Sequence, residues 1–222
     1  LDDMKNKITS KTKVIFLPNP ANPTGALLSH TEIDKFISTI SKKIIVVIDE
    51  AYVEYACFRG YSSCISLLKK YDNIIITRSF SKIYALAGVR IGYGLANEHL
   101  ISKLNNKRQP FNVNQIAQHM AIRSLADKKF VSDSLRDYEK CRVYLCEELS
   151  KLNLTFIDSY ANFITIKFGN ATKFIFNKLL QSGIILRPLD NYKLPNYLRL
   201  TIGTFKECKL FISSLKKILY KK

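Results

Sequence analysis

The sequence predicts an α/β protein, with a three-layer fold around a mostly parallel sheet and a smaller α/β domain after it. Three apolar, β-branched runs carry this prediction. They begin at Val14, Ile44 and Ile74, roughly 30 residues apart, which is the interval of a βαβ unit. The runs are continuously hydrophobic rather than alternating, as is typical of parallel strands covered on both faces. We therefore expect three neighbouring parallel strands in the first half of the chain.

The helices and the remaining strands follow from periodicity and capping signals. A helix is predicted from about Ser29 to Ser41, because Ser29 and Glu32 have the spacing of a capping box. We place a domain boundary near residue 130, with a large domain over residues 1–130 and a small domain over residues 131–222. The pattern further predicts helices from about Asn97 and over Gln115–Ala126, Ser132–Leu152, Ala171–Gln181 and Phe205–Leu219, and strands over Thr155–Ser159, Phe163–Phe168, Ile184–Arg187 and Leu198–Ile202.

The composition is that of a globular protein. Hydrophobic residues make up 47% of the 222 residues and charged residues 24%, which excludes wholesale disorder and fibrous repeats. No apolar run approaches the ~18–20 residues that span a bilayer, and the polar start lacks the apolar stretch of a secretory signal. We therefore expect a soluble, cytoplasmic protein without a membrane partner.

The formal net charge of +17 raises nucleic-acid binding as an alternative, because contacts with phosphates release counterions. The lysines are nevertheless dispersed, with only short clusters at Lys42–Lys43, Lys69–Lys70 and Lys221–Lys222, and no nucleic-acid motif accompanies them. Such a distribution is more typical of a solvated surface, so no nucleic-acid partner is expected. A phosphorylated or acidic small ligand would also suit a positive cleft.

The cysteines and histidines indicate neither a disulfide framework nor a metal site. The five cysteines are odd in number and contain no CxxC pair. The three histidines, His30, His99 and His119, stand far apart and do not have the spacing of metal ligands. We expect reduced thiols and no bound metal.

Polar groups follow each of the three predicted parallel strands. The first strand is followed by Pro18–Gly25, the second by Asp49–Tyr52 and the third by Arg78–Lys82. Ligands of open α/β sheets bind outside the carboxyl ends of the strands. Three polar segments at this edge therefore predict a site there.

The residue types at this edge match the groups of pyridoxal phosphate. A lysine just after a strand can form a Schiff base with an aldehyde, and a carboxylate on a neighbouring strand can hold a pyridinium nitrogen protonated. A tyrosine can hydrogen-bond the ring hydroxyl, while two serines and an arginine can hold the phosphate. The side chains that could do so are Lys82, Asp49, Tyr52, Ser79, Ser81 and Arg90.

Five segments of the chain resemble a known enzyme family. NPANPTG, DEAY and SFSKIYALAGVRIGYG, in this order, are similar to the signature segments of the class I/II aminotransferases, which are pyridoxal-phosphate enzymes of fold type I. DEAYVEYA, RQPFNVN and the pair GIILRPL and YLRLTIGT resemble histidinol-phosphate aminotransferase in particular. The strongest segments are Asn19–Gly25, Asp49–Tyr55, Ser79–Gly94, Arg108–Asn114 and Gly183–Gly203.

The resemblance implies a role for each matching residue. Lys82 would bind the cofactor covalently and then act as base and acid, while Asp49 would pair with the pyridine nitrogen. Tyr52 and Asn22 would hydrogen-bond the phenolate oxygen of the cofactor. The cofactor phosphate would be bound by Ser79, Ser81 and Arg90, and the anionic end of the amino donor by Arg199, with Arg187 as a second candidate.

Some of these residues also have a structural interpretation. Asn22 could brace the proline-rich turn, Arg90 could form an ion pair, and Arg187 could cover apolar surface with its aliphatic stem. The lone GxG at Gly92–Gly94 lacks the third glycine of a nucleotide-binding fingerprint.

The resemblance also implies substrates and partners. An amino donor and a 2-oxo acid would react in histidine biosynthesis. One couple would be histidinol phosphate and imidazole-acetol phosphate, and the other would be glutamate and 2-oxoglutarate. The enzyme would be a homodimer. Only 18 residues precede Asn19, fewer than in the family. We therefore expect an N-terminally truncated chain with an incomplete sheet and impaired activity. Two alternatives are one half of a split enzyme that a separate N-terminal polypeptide complements, and a chain that folds alone with a compromised site.

Two other functions stay open. A decarboxylase of phosphorylated threonine shares the scaffold and differs in which substrate bond breaks. A non-catalytic basic binding protein could keep the fold without the chemistry, but such a protein would not need Asp49, Tyr52, Lys82 and Arg90 together.

Overall fold

The computed structural model describes residues 1–220 and divides into two compact units. Unit 1 comprises Leu1–Pro20 and Leu27–Lys128, and unit 2 comprises Ala21–Ala26 and the chain from Lys129 onward. The lysine pair Lys221–Lys222 lies outside the described residues. That the two units are the large and small domains placed on either side of residue 130 stays a prediction. The short segment 21–26 belongs to unit 2 although it lies early in the chain.

Unit 1 is built on a four-stranded sheet with the order β1-β2-β3-β4. The strands β1 (Val14–Pro18), β2 (Ile45–Asp49) and β3 (Ile74–Ser79) are parallel, as the three apolar runs predict. The fourth strand, β4 (Gly92–Ala96), is antiparallel to β3 and was not predicted. The α/β class with a mostly parallel sheet is therefore confirmed.

The sheet of unit 1 is covered more completely at β3 than at its edge strand β1. Ile74 and Ile76 are fully buried, and Ile75 is nearly so. Within the described residues, β1 alternates between buried and exposed positions, and its Phe16 is 70% exposed. The prediction that all three runs are covered on both faces is therefore wrong for β1, because an edge strand here packs one face only.

Five α-helices accompany this sheet. The capping box before the second helix is confirmed: the Ser29 hydroxyl accepts a hydrogen bond from the Glu32 amide at 3.2 Å, and the Glu32 carboxylate accepts one from the Ser29 amide at 2.8 Å. The helices are α1 (Asp2–Asn6), α2 (His30–Ser38), α3 (Val53–Phe58), α4 (Glu98–Asn105) and α5 (Gln115–Ala126), with short 3-10 turns at Cys64–Lys69 and Ala87–Val89.

Unit 2 is an antiparallel sheet that packs with three helices around one apolar core. The sheet order is β5-β6-β8-β7, and the core contains fully buried Leu145, Leu149, Leu179 and Leu198. Most of the predicted elements are present with shifted ends, but the strand predicted over Ile184–Arg187 is wrong for most of its length, because the structure has a strand only at Arg187–Pro188. Among residues 1–220, no helix could span a membrane. The elements are α6 (Lys128–Lys151), β5 (Phe156–Ile157), β6 (Phe163–Lys167), α7 (Thr172–Gln181), β7 (Arg187–Pro188), β8 (Tyr197–Thr201) and α8 (Phe205–Tyr220).

Candidate functional site

The carboxylate of Asp49 is fixed at the carboxyl end of β2. Asp49 lies opposite Thr77 of β3 in the parallel register. Its Oδ1 accepts hydrogen bonds from the Ala51 amide at 3.1 Å and from the Thr77 hydroxyl at 3.2 Å. Backbone and side chain together therefore orient this carboxylate at the sheet edge where ligands bind in this class of fold.

The Lys82 ammonium lies over the ring of Tyr52. Its Nζ is 5.1 Å from the ring centroid, within the range of a cation–π contact, and Tyr52 is buried. Lys82 follows β3 in a tight turn, in which its carbonyl oxygen accepts a hydrogen bond from the Ala85 amide at 2.9 Å. The structure thus brings a lysine and a tyrosine from two neighbouring strand ends into contact.

The two serines and Arg90 come together through the strand that was not predicted. Because β4 runs back along β3, Gly92 lies opposite Ser79, and the Phe80 amide donates to the Ile91 carbonyl at 3.2 Å. The Ser79 hydroxyl accepts a hydrogen bond from the Ser81 amide at 3.0 Å. The backbone of Arg90 is therefore held at the same edge as the serines.

Arg90 has a left-handed backbone, with φ of 59°, and its guanidinium is exposed. Its Nη1 donates a hydrogen bond to the Ala87 carbonyl at 2.6 Å. That bond orients the side chain within its own turn and occupies one of the five guanidinium N–H groups, so donors are left for an anion.

A buried ion pair that the sequence analysis missed joins β2 to β3 next to this site. Glu50 is completely buried and accepts hydrogen bonds from Arg78 Nε at 3.1 Å and Nη2 at 2.9 Å. It also accepts from the Ser63 hydroxyl at 2.8 Å and from the Cys64 amide at 2.8 Å. Burial lowers the pKa of Arg78, but the hydrogen bonds and charge interactions with Glu50 and Tyr93 together outweigh burial and hold that pKa above its ordinary value. The only signal for this pair in the sequence is that each partner adjoins a predicted site residue, Asp49 or Ser79.

Asn19, the first residue of the NPANPTG segment, has a structural role in unit 1. Its side chain is buried and donates to the Leu28 carbonyl and to the Tyr61 hydroxyl, both at 3.0 Å, while its Oδ1 accepts from the Leu28 amide at 2.7 Å. Burial raises the pKa of Tyr61 far above its ordinary value and that of Cys64 to about 11. Both groups are therefore neutral near pH 7.

Asn22 and Arg199, two of the predicted site residues, meet within unit 2. Arg199 Nη1 donates to Asn22 Oδ1 at 2.5 Å, and the guanidinium carbon lies 4.9 Å from the centroid of the Phe163 ring. Arg199 Nε is buried and has no hydrogen-bond partner among residues 1–220. Since the bond to Arg199 occupies the amide oxygen of Asn22, its Nδ2 is the group that can donate to a ligand.

Arg187 and Arg199 lie directly opposite each other on β7 and β8. Like charges in opposed cross-strand positions destabilise a sheet, and an anion between or above them removes that cost. The pair is thus chemically suited to a carboxylate or a phosphate, for which arginine offers bidentate hydrogen bonds.

The structure therefore divides the predicted site residues into two sets. In unit 1 it brings together residues from the ends of β2 and β3 and the start of β4. In unit 2 it joins residues of the 21–26 segment to neighbouring strands. The first set is Asp49, Tyr52, Ser79, Ser81, Lys82 and Arg90, and the second is Asn22, Arg187 and Arg199.

Comparison with known proteins supports the resemblance. The family model "Aminotransferase class I and II" matches residues 1–215. The histidinol-phosphate aminotransferase of Pelagibacter ubique is 40% identical over 222 residues, which cover 98% of this chain and 62% of that protein.

Solved structures show the same fold. Histidinol-phosphate aminotransferase from Sinorhizobium meliloti, crystallised in complex with pyridoxal-5'-phosphate, superposes with a TM-score of 0.83 at 26% identity, over 93% of this chain and 57% of that one. L-threonine-O-3-phosphate decarboxylase from Porphyromonas gingivalis gives a TM-score of 0.84 at 25% identity, over 99% and 68%.

The chain spans about three fifths of the length of the curated relatives that it matches. The match nevertheless extends over nearly the whole of this chain and includes every predicted site residue. The chain belongs to the class I and II aminotransferases, a family of pyridoxal-phosphate enzymes.

Proposed function

We propose that this chain is part of an aminotransferase that exchanges an amino group between histidinol phosphate and 2-oxoglutarate. The observation that carries the proposal is the contact of Lys82 with the buried Tyr52 ring, at a strand end adjacent to the oriented Asp49 carboxylate. Curated relatives that are 36–41% identical to this chain are histidinol-phosphate aminotransferases, which supports histidinol phosphate as the substrate.

The residues of unit 1 fit pyridoxal phosphate group by group. A carboxylate, a buried phenol ring with an amine above it, and two hydroxyls near an arginine backbone are the donors and acceptors that this cofactor requires. We assign the pyridine nitrogen to Asp49, the aldehyde carbon to Lys82, and the phosphate to Ser79, Ser81 and Arg90.

The bound cofactor would supply a sink for the electrons of the substrate carbon, which acidifies the adjacent C–H bond. The Asp49 carboxylate would hold a proton on the ring nitrogen, and its bond from Thr77 keeps it oriented for this task. The Lys82 amine would remove the proton from the substrate carbon as a base and then, as an acid, would deliver it to the cofactor. Tyr52 and the Nδ2 of Asn22 would donate hydrogen bonds to the ring oxygen.

The residues of unit 2 would bind the anionic end of the substrate. Arg199 has a buried Nε without a partner among the described residues and lies opposite Arg187. We assign Arg199 to the carboxylate or phosphate of the amino donor, with Arg187 as the second cation.

Covalent labelling tests the cofactor site. We expect pyridoxal phosphate at a stoichiometric concentration, followed by borohydride reduction, to add a phosphopyridoxyl group mainly to Lys82, as read by peptide mass mapping. Lys82→Arg keeps the charge but has no primary amine, so we expect it to abolish the specific label. A label spread evenly over exposed lysines, in both the wild-type chain and the variant, would contradict the site.

Product analysis tests the reaction. With histidinol phosphate and 2-oxoglutarate we expect glutamate to form, and with phosphorylated threonine we expect no carbon dioxide. The similarity to a threonine-phosphate decarboxylase makes the second substrate the relevant comparison, since both enzymes share the fold. Carbon dioxide release without glutamate formation would favour the decarboxylase. Glutamate that forms from another amino donor but not from histidinol phosphate would keep the cofactor site and overturn the substrate.

The family resemblance also supports a homodimeric, cytoplasmic enzyme of histidine biosynthesis, and we propose these three properties for the whole protein. The rival proposal, a basic binding protein without catalysis, does not account for an ordered Asp49 carboxylate beside the contact between Lys82 and Tyr52.

A further inference from the structure

A cavity of about 350 Å³ opens in unit 1 at the sheet edge where β2 and β3 begin. This edge is opposite the one that carries Asp49 and Lys82, which follow the ends of those strands. Three separate segments line the cavity: the turn before β2, the turn before β3, and the start of α4. They meet because β4 is antiparallel to β3, so that the end of β4 and the beginning of α4 lie at the edge where β3 starts.

Hydrogen bonds hold the walls of this cavity in place. Asn73, which is buried, donates from Nδ2 to the Ile44 carbonyl at 2.8 Å and so joins the turn before β3 to the turn before β2. Asn97 donates from Nδ2 to the Asp72 carbonyl at 2.7 Å and caps α4 by accepting from the Leu100 amide at 2.9 Å. The amino-terminal end of α4 adds partial positive charge to this side of the unit.

The cavity is strongly basic. Lys70 forms a salt bridge of 2.7 Å with Asp34, which is not a lining residue. Over residues 1–220, no salt bridge joins any of the other three lysines to a carboxylate. The charged and titratable side chains that line the cavity are Lys42, Lys43, Lys70, Lys103, His99, Tyr71 and Asp72.

The sequence alone assigns these lysines to a solvated surface, because Lys42–Lys43 and Lys69–Lys70 are short clusters far apart in the chain. The folded structure instead places members of both clusters, together with Lys103, around one concavity. Like charges around a shared cavity repel one another, and a multiply charged anion relieves that repulsion.

We propose that this cavity binds a small molecule that carries two or more phosphate groups. Its volume lies within the range of small-molecule sites, ~300–1,000 Å³, and is too confined for a folded nucleic acid. Three ammonium groups without a carboxylate partner among residues 1–220, with the salt-bridged Lys70 beside them, suit several phosphate oxygens better than a single carboxylate. The Tyr71 ring and the side chains of Ile45 and Leu100 add an apolar wall for the remainder of such a ligand.

Binding of inorganic tripolyphosphate to the full chain, measured by isothermal titration calorimetry at two salt concentrations, tests the proposal. We expect one site whose affinity falls as salt rises, since the ammonium groups are exposed to screening. We expect the double variant Lys43→Gln, Lys103→Gln to weaken binding by roughly tenfold or more, because two charge-assisted hydrogen bonds are lost.

Two controls separate this site from the general charge of the chain and from the cofactor site. The double variant Lys173→Gln, Lys206→Gln removes the same charge from exposed positions in unit 2 and should change the affinity less than about threefold. Arg90→Gln, in the proposed cofactor phosphate site, should leave tripolyphosphate binding unchanged. Circular dichroism confirms that each variant is folded.

Three results would overturn the proposal. An equal loss of tripolyphosphate affinity in both double lysine variants would show that net charge alone attracts the anion. A loss of affinity confined to Arg90→Gln would place the anion in the cofactor site. An RNA oligonucleotide that binds while tripolyphosphate does not would assign the basic surface to nucleic acid instead.

Discussion

Replacing Glu50 by alanine is expected to destabilise the folded chain by about 3–5 kcal/mol, the cost of removing one partner from a buried ion pair. Glu50 is fully buried and Arg78 has a side chain that is 18% exposed, so the variant leaves a positive charge with little access to water. The Ser63 hydroxyl and the Cys64 amide lose their acceptor as well. Urea denaturation followed by circular dichroism measures the change in the free energy of unfolding.

A double variant distinguishes the buried charge from the lost contact. Glu50→Ala, Arg78→Met removes both charges, so we expect it to be more stable than Glu50→Ala alone. As a matched control, Asp133→Ala breaks exposed pairs with Lys129 and Arg136 and should cost at most about 1 kcal/mol. A cost for Glu50→Ala as small as that of the control would show that the pair does not stabilise the strand ends.

Gly25→Ala is expected to be the second severe substitution, with a cost of about 2–5 kcal/mol that combines backbone strain and overpacking. Gly25 has a φ of 77°, where a side chain is strained. A Cβ there would also lie 1.9 Å from Ser159 Oγ and 2.9 Å from Ser159 Cα, so a change of the Ser159 rotamer cannot relieve the overlap. The loop 21–26 would have to move away from the strands of unit 2.

Gly60→Ala is the matched control, because Gly60 has a φ of 89° but no atom within 4 Å of its added Cβ. Its cost should therefore be that of backbone strain alone, about 1–2 kcal/mol. The difference between the two variants in urea denaturation measures the steric term. An equal loss in the free energy of unfolding in both variants would mean that the loop 21–26 adapts to the added side chain. The close approach of Gly25 to Ser159 would then not fix the position of the loop.

Local patterns in the sequence were sufficient to predict most of the elements. The three parallel strands are correct to within a residue or two because their apolar runs are long and each is followed by a polar break. β4 was missed because it begins Gly92-Tyr93-Gly94, and glycine is rare in strands. The structure supplies the reason for the first glycine: a Cβ at Gly92 would lie 2.7 Å from the Arg78 carbonyl oxygen of the neighbouring strand.

The site was predictable where its residues directly follow predicted strands. It was unpredictable where residues that are distant in the sequence contact each other. Lys82 and Tyr52 each follow a recognisable apolar run, so their contact could be expected from the topology. Arg199 and Asn22 are 177 positions apart, and no pattern in either segment indicates their hydrogen bond. The ion pair of Glu50 and Arg78 was equally unpredictable, because hydrophobic periodicity does not indicate which charged residues are buried together.

The assignment of residues 21–26 to unit 2 has a consequence for anyone who dissects this protein. The backbone passes between the two units after Pro20, again after Ala26 and a third time after Lys128. One proteolytic nick near residue 128 therefore cuts the covalent link to the chain from Lys129 onward but leaves the 21–26 segment of unit 2 attached to unit 1. A recombinant piece that starts at residue 129 also lacks the Pro23 carbonyl, the acceptor of the fully buried Thr165 hydroxyl at 2.5 Å. A faithful excision of unit 2 therefore needs the 21–26 hexapeptide grafted back by circular permutation or supplied in trans.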